Sequence, residues 1–238
     1  MKHTHQGMLA TGLMALALAA PLHAQHGHLN SGAVGQNQGD ALSFLNGADF
    51  AAGSGYVKAL NFAGSGTYAG HYEGGITLTA VHSLSGTDAN GIPYVANPNG
   101  AAPGAFLQYS IVSVEGPAGG TFAFWEAGAT APTFRYASGY TAGGAPDLIV
   151  ISDASTGAGI PGGDPFGHLH GRRFTATTAG DYTVGFQLVD TSANGVGGGP
   201  IHTASDVLQI QFSAVPEPGA CVLGLLGIGA LGWAIRRR

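Results

Sequence analysis

The chain has 238 residues, of which 42 are glycine, 45% are apolar and only 9% are charged. The apolar fraction is sufficient for a packed core, which argues against a disordered protein, and glycine lacks the three-residue period of collagen. Between Gln25 and Val215 the chain has 4 basic and 12 acidic residues. This balance argues against a nucleic-acid partner, because such proteins present a basic surface. The single cysteine, Cys221, excludes an intramolecular disulfide and a zinc site built from thiolates.

Residues 1–24 have the pattern of a secretory signal peptide. Lys2 supplies a positive charge, residues 8–20 form a short apolar run, and Ala24 places a small residue before Gln25. These features are typical of a segment that signal peptidase removes. We therefore expect an N-terminal signal helix and export of the remainder.

Residues 25–214 have a uniform composition with no linker or repeat, which predicts a single domain. Short alternating or β-branched runs separated by Gly, Asn, Asp and Pro predict strands joined by turns. The predicted strands are residues 55–62, 67–73, 75–84, 105–115, 121–126, 148–152, 171–177, 181–190 and 206–214. This pattern favours an all-β fold, a single antiparallel β-sandwich of the Ig-like or jelly-roll-like type. A barrel is the alternative.

Ten histidines are an unusual number for a chain with eight basic residues. Residues 25–214 contain two His-x-His pairs, one at the start of the body and one after the turn at residues 161–165. Residues i and i+2 of an extended chain point to the same side, so each pair offers two neighbouring imidazoles. The candidate metal ligands are His26, His28, His82, His168, His170 and His202.

Neutral imidazole is a common metal ligand that suits Zn, Cu, Fe and Ni. His168 and His170, joined by His82, His28 or His202, are expected to form a site of three or four nitrogens. Because thiolates are absent, zinc or copper is the expected ion. The competing interpretation is that these histidines decorate separate loops and bind nothing.

Residues 215–238 have an ordered pattern of three parts. Pro216, Glu217 and Pro218 precede an apolar run at residues 220–235, and Arg236, Arg237 and Arg238 close the chain. This order resembles the PEP-CTERM sorting signal. The resemblance implies a transmembrane helix in the inner membrane with its arginines cytoplasmic, recognition by an exosortase, and association with extracellular polysaccharide. A plain tail anchor is the alternative.

The body resembles a second group, the bacterial surface-anchored repeat domains of the choice-of-anchor M type. The segments that carry this resemblance are residues 26–29, 119–125 and 167–184. The family is β-rich and is often encoded beside metal-uptake transporters, which implies a role linked to metals. Arg172 and Arg173 depart from the family pattern, which has Asn and an aromatic residue there.

Two functions are therefore expected, and neither is enzymatic. The first is an exported cell-surface protein that binds a divalent transition metal for capture or buffering, with a metal-uptake system as a possible partner. The second is a structural or adhesive component of the extracellular polysaccharide matrix. No Gly-x-Ser-x-Gly nucleophile motif is present, and nothing in the sequence places Glu115 and Glu126 at the separation of a glycosidase pair.

Overall fold

A computed structural model describes residues 27–152 and 162–216. Within these residues the chain forms sixteen strands and one short helix, α1 (Gly47–Phe50). The strands are β1 His28–Ala33, β2 Leu42–Phe44, β3 Lys58–Phe62, β4 Tyr72–Gly74, β5 Thr77–Ala80, β6 Gly86–Thr87, β7 Pro93–Tyr94, β8 Leu107–Glu115, β9 Thr121–Trp125, β10 Phe134–Ala137, β11 Tyr140–Thr141, β12 Ile149–Val150, β13 Gly167–Leu169, β14 Arg173–Ala176, β15 Gly180–Asp190 and β16 Leu208–Val215. The predicted signal helix and C-terminal helix lie outside the described residues.

The strands form two main sheets that together make a near-barrel. The larger sheet has the order β10-β9-β14-β4-β3-β16-β15-β8-β11, with β12 also paired to β8. Its outermost strands, β10 and β11, are separated along the chain by only Ser138 and Gly139, so the two edges of this sheet approach each other. The smaller sheet has the order β13-β5-β1-β2. The all-β prediction is confirmed, and the near-barrel lies between the expected sandwich and the barrel that was its alternative.

The core follows from the two-residue period of the strands. In β15 the alternate residues Tyr182, Val184, Phe186 and Leu188 are all buried, as their spacing on one side of a strand requires. β15 lies between β8 and β16, and pairs with both in antiparallel register. Burial of so many aromatic and branched side chains is the main source of stability for a chain without disulfides.

Two strand pairings differ from the expected antiparallel arrangement. β1 runs parallel to β5, and β3 runs parallel to β16. Parallel neighbours need a long crossover connection, and here residues 34–76 and 63–207 supply it. The sequence pattern does not reveal such distant partners, because hydrophobic alternation is the same for either direction.

The carboxylate of Asp190 organises the loops at one end of β15. Oδ1 accepts hydrogen bonds from the backbone N–H groups of Phe106 and Ser192, both at 2.9 Å. Oδ2 accepts from the N–H groups of Ile201 and His202, at 2.8 and 3.0 Å. One buried side chain therefore satisfies four backbone donors and fixes the loop that carries His202.

Candidate functional site

The central strand β5 brings three histidines from two segments to one side of the smaller sheet. β1 and β13 pair with opposite edges of β5, with His28 opposite Thr77 and His168 opposite Thr79. Thr77 and Thr79 are two residues apart and therefore share a face, and directly paired residues lie on the same side of a sheet. The small threonines between the outer strands leave room for the imidazoles to approach above β5.

His28, His168 and His170, hereafter the histidine trio, are all exposed and lie close together. The ring centres are 4.1 Å apart for His168 and His170, 4.9 Å for His28 and His168, and 6.3 Å for His28 and His170. The trio thus joins the pair at 168–170 to the first strand of the body.

Asn46 fixes the position of the strand that carries His28. Its side-chain Nδ2 donates to the carbonyl oxygen of His28 at 2.8 Å, and its Oδ1 accepts from the N–H of Asn30 at 2.8 Å. Both ends of the amide are therefore used to hold the beginning of β1. This leaves the His28 imidazole as the part of the residue that faces outward.

Two glycines flank the segment that carries His168 and His170, and both are needed for the backbone conformation of that segment. A Cβ atom at Gly167 would lie 2.1 Å from the carbonyl oxygen of Ile151. The start of β13 therefore lies closer to Ile151 than a residue with a side chain would allow. Gly171 has a φ of +76°, a left-handed conformation that favours glycine. Just beyond it, Arg172 donates through Nε to Glu126 at 2.7 Å, which ties the segment to the β9–β10 turn.

The surroundings of His168 favour an uncharged imidazole at that position. Burial lowers the pKa of His168 from its ordinary value of 6.5, and the neighbouring His170 and His28 lower it further because a second positive charge nearby is unfavourable. A lowered pKa keeps the ring neutral at physiological pH. Neutral imidazole is the form that binds metal ions.

The trio offers the donor type of a zinc or copper site, but its side chains are not arranged as one. Three imidazoles bound tetrahedrally to one zinc at about 2.0–2.1 Å have ring centres roughly 5 Å apart, and the observed distances lie on both sides of that value. As placed, no group of three His, Cys, Asp or Glu side chains within residues 27–152 and 162–216 is arranged to hold a metal ion. Binding of one ion by all three rings would require the imidazoles to rotate.

A polar atom without a partner lies beside the trio. Thr79, directly opposite His168, is 8% exposed, and its Oγ1 makes no hydrogen bond. Buried hydroxyl groups normally have a partner. A metal-bound water or a rotated imidazole nitrogen above β5 would supply one.

His82 lies apart from the trio, in a site of its own. It follows the end of β5, three residues or roughly 10 Å of extended chain beyond Thr79, the partner of His168. Its Nδ1 lies 2.8 Å from Oδ2 of Asp164, and its ring is stacked between Tyr94 and Phe166 with ring centres 3.8 and 3.7 Å away. The structure therefore does not place His82 with His168 and His170, and it uses Asp164 to hold His82.

His202 is a buried structural histidine. Its Nε2 accepts from the N–H of Ala102 at 2.8 Å, and its Nδ1 donates to the carbonyl oxygen of Asp40 at 2.9 Å. Both ring nitrogens are therefore engaged by backbone groups, and the side chain is only 3% exposed. This removes His202 from the set of candidate ligands, because no nitrogen is free for a metal.

A cleft that the sequence did not indicate adjoins the trio through His28. Its volume is about 610 Å³, and the polar side chains along it are those of Asn46, Asp49, Ser54 and Tyr56. Burial raises the pKa of Tyr56 to about 12, so its hydroxyl stays protonated and able to donate. Residues 46–56 have no periodic pattern or motif, and for that reason the sequence gives no signal for this cleft.

Several predicted residues lie wholly or partly outside the described structure. His26 is one of them, as are Glu217, Pro218, Arg236, Arg237 and Arg238, whereas Pro216 is described and exposed. Within the described ranges, no helix is both long and apolar enough to cross a membrane.

Comparison with known families gives one match, the PEP-CTERM protein-sorting motif at residues 214–238. No curated protein and no solved structure matches the chain. The match covers the tail, so the resemblance of the body to choice-of-anchor M domains stays a prediction. The motif implies export and membrane anchoring during sorting, followed by the cell surface. The chain therefore carries a PEP-CTERM sorting motif, which marks it as an exported cell-surface protein sorted through an exosortase.

Proposed function

We propose that this exported protein binds a divalent transition metal, zinc or copper, through the histidine trio and captures or buffers the ion outside the cell. The observation that carries the proposal is the clustering of His28, His168 and His170, with ring centres 4.1 to 6.3 Å apart. The trio is exposed, so an ion reaches it without opening the core.

The chemistry of the trio supports binding rather than catalysis. Three imidazole nitrogens suit zinc and copper, and all three rings lie at exposed positions. An exposed site with few protein ligands suits reversible capture. The function we propose is therefore non-enzymatic.

The resemblance of the body to choice-of-anchor M domains points the same way. The segment at residues 167–184 holds His168 and His170 and gives rise to β13, β14 and the start of β15. That resemblance makes a metal-uptake system the expected recipient of the captured ion.

A non-metal role in the extracellular polysaccharide matrix is the second candidate. It is favoured by exposed apolar side chains in the loops, of which Val95 and Val196 are more than four-fifths exposed. Such residues form sites of contact with other molecules when they cluster. A matrix component would keep this surface but would show no response to metal.

Thermal unfolding in EDTA, and then with added zinc or copper, separates the two candidates. A metal that binds only the folded state stabilises it by about 2.7 kcal/mol at a hundredfold excess over its dissociation constant. We expect this rise in the wild type and its loss in His168→Gln/His170→Gln. His71→Gln is the matched control, because His71 packs against Trp125 and lies outside the trio. Absence of any metal-dependent rise in the wild type would contradict the proposal.

A further inference from the structure

The last strand of the body leads into the sorting motif without a spacer. β16 ends at Val215, and the next residue, Pro216, begins the Pro-Glu-Pro sequence. β16 lies inside the larger sheet, where β15 and β3 pair with its two edges up to Ala214 and Val215. The position of Pro216 is therefore fixed by a fully paired strand.

The sequence limits how far the body can stand from the membrane. Only Glu217, Pro218 and Gly219 separate Pro216 from the apolar run that begins at Ala220. Four steps of fully extended chain span at most about 14 Å. The headgroup layer on each side of a bilayer is itself about 5–7 Å thick. While the tail is anchored, Pro216 can therefore lie at most roughly 7–9 Å above the headgroup layer, which keeps this end of the sheet next to the lipid surface.

The strand register shows which residues share that end. Val215 pairs with Asn61, Asn61 with Glu73, Glu73 with Thr175, and Thr175 with Ala123. This row crosses five strands of the larger sheet. Everything beyond the row on the side of Pro216 belongs to one end of the near-barrel, which we name the tail end.

The tail end exposes apolar side chains. Phe62 is 38% exposed and Val215 is 45% exposed, and both lie at the ends of the parallel strands β3 and β16. The turn that contains Ala118 lies at the same end, because Pro117 lies against Gly180 and Gly180 pairs with Ala214. Apolar residues of this kind partition into the interface of a bilayer.

The trio lies at the opposite end. On the other side of the row, β14 begins at Arg173, three residues after His170, and Arg173 pairs with Trp125. Four residues of strand from Arg173 to Ala176 span roughly 10 Å, and the chain from His170 extends farther. A body that rests on its tail end therefore holds the trio away from the lipid.

We infer that, during sorting, the body docks directly on the lipid bilayer through its tail end, with Phe62 and Val215 in the interface and the histidine trio facing outward. The inference rests on the proposed membrane-anchored, metal-binding function, to which it adds an orientation. The docked body leaves the trio open to ions and partners beyond the membrane. It also places the sorting motif between the lipid surface and a folded sheet.

Two alanines provide a matched pair of probe positions. Ala118 and Ala127 are both exposed, in the turns at the two ends of the five-residue strand β9. Ala118 lies at the tail end, and Ala127 lies at the opposite end of the near-barrel, which carries the trio. Each is changed to Cys in a full-length Cys221→Ser chain, labelled with an environment-sensitive fluorophore, and placed in vesicles of phosphatidylethanolamine and phosphatidylglycerol that contain brominated lipid.

We expect brominated lipid to quench the Ala118→Cys label at least twofold more strongly than the Ala127→Cys label. Equal or reversed quenching in vesicles that carry the protein would overturn the docking inference and leave metal binding unaffected. Failure of the protein to float with the vesicles would instead overturn membrane anchoring itself.

A spacer variant tests the cause of the orientation. Insertion of roughly 12 Gly/Ser residues between Pro216 and Glu217 adds about 20 Å of flexible reach. The difference between the two labels should shrink, because the body is then free to leave the surface. Persistence of the full difference would show that lipid contact at the tail end does not depend on the short spacer, and would contradict the tether argument.

Discussion

His28 and His168 have their ring centres 4.9 Å apart although 140 positions separate them in the sequence. The strands that carry them, β1 and β13, do not pair with each other. Both pair with β5, one on each edge, and the two side chains meet above Thr77 and Thr79. The site therefore depends on the folded sheet, and an unfolded chain would offer only the neighbouring pair at 168–170.

Loss of His28 should weaken metal binding as much as loss of His168. Each contributes one of three nitrogens, so His28→Gln and His168→Gln should each reduce zinc affinity about tenfold or more. Loss of a residue that only supports a metal ligand already lowers affinity by about this factor, and loss of the ligand itself should cost at least as much. Equilibrium dialysis against zinc measures the change. His71→Gln should bind as the wild type does. If His28→Gln also binds normally, β1 is not part of the site.

Substitution of Gly167 should displace β13 and with it His168 of the trio. A methyl group at this position meets the carbonyl oxygen of Ile151 at 2.1 Å, so β13 must move away. Such overpacking costs about 1–3 kcal/mol, and Gly167→Ala should lower both the melting temperature and the zinc affinity. Gly199→Ala is the control, since nothing lies within 4 Å of a Cβ atom there. Equal behaviour of the two variants would contradict the close approach.

The sequence predicts much of the larger sheet but little of the smaller one. Each of the nine predicted strands overlaps an observed strand, and β15 has the inward residues that its alternation indicates. At residues 67–73, however, only the last two residues enter β4, because a turn occupies the rest. β1 was not predicted, since His28–Ala33 has Asn and Ser among its residues and no continuous apolar alternation.

The same contrast holds for the candidate ligands. The two-residue period predicts that His168 and His170 lie side by side, and their rings are 4.1 Å apart. Which other histidine joins them depends on the pairing of β5 with both β1 and β13, which no local pattern encodes. The burial of His202 likewise depends on backbone groups at Asp40 and Ala102, far away in the sequence.

Acid should destabilise the metal-free protein through His168. Above pH 6.5 the ring is neutral in both the folded and the unfolded chain and contributes nothing. As the pH drops below 6.5, His168 takes up a proton in the unfolded chain first, because its pKa in the folded protein is lower. The free energy of unfolding therefore decreases as the pH decreases, until the pH is below the folded pKa. Urea unfolding in EDTA should show a smaller loss in His168→Gln over this range. An identical pH profile would contradict the lowered pKa.

Removal of His202 should destabilise the fold and leave metal binding intact. His202→Ala removes the acceptor of the Ala102 N–H and the donor to the Asp40 carbonyl in a buried position. Unsatisfied buried groups cost about 1–3 kcal/mol each, and urea unfolding should detect a loss of that size. Zinc affinity of the remaining folded protein should not change. A large loss of affinity would return His202 to the ligand set.

Asp190 should be among the most sensitive positions of the body. Asp190→Asn replaces one acceptor oxygen with a donor that faces two backbone N–H groups, and we expect a loss of about 3 kcal/mol or more in the free energy of unfolding. Asp206→Asn, at an exposed position, is the matched control and should cost little. Similar stability of the two variants would show that the four hydrogen bonds contribute little.

X-ray absorption at the zinc edge of the metal-loaded protein tests the central claim most directly. The account predicts about three imidazole nitrogens at about 2.0–2.1 Å from the ion, and one fewer after His28→Gln. A spectrum with oxygen ligands alone, or the same imidazole count in wild type and His28→Gln, would contradict a metal site built from the histidine trio.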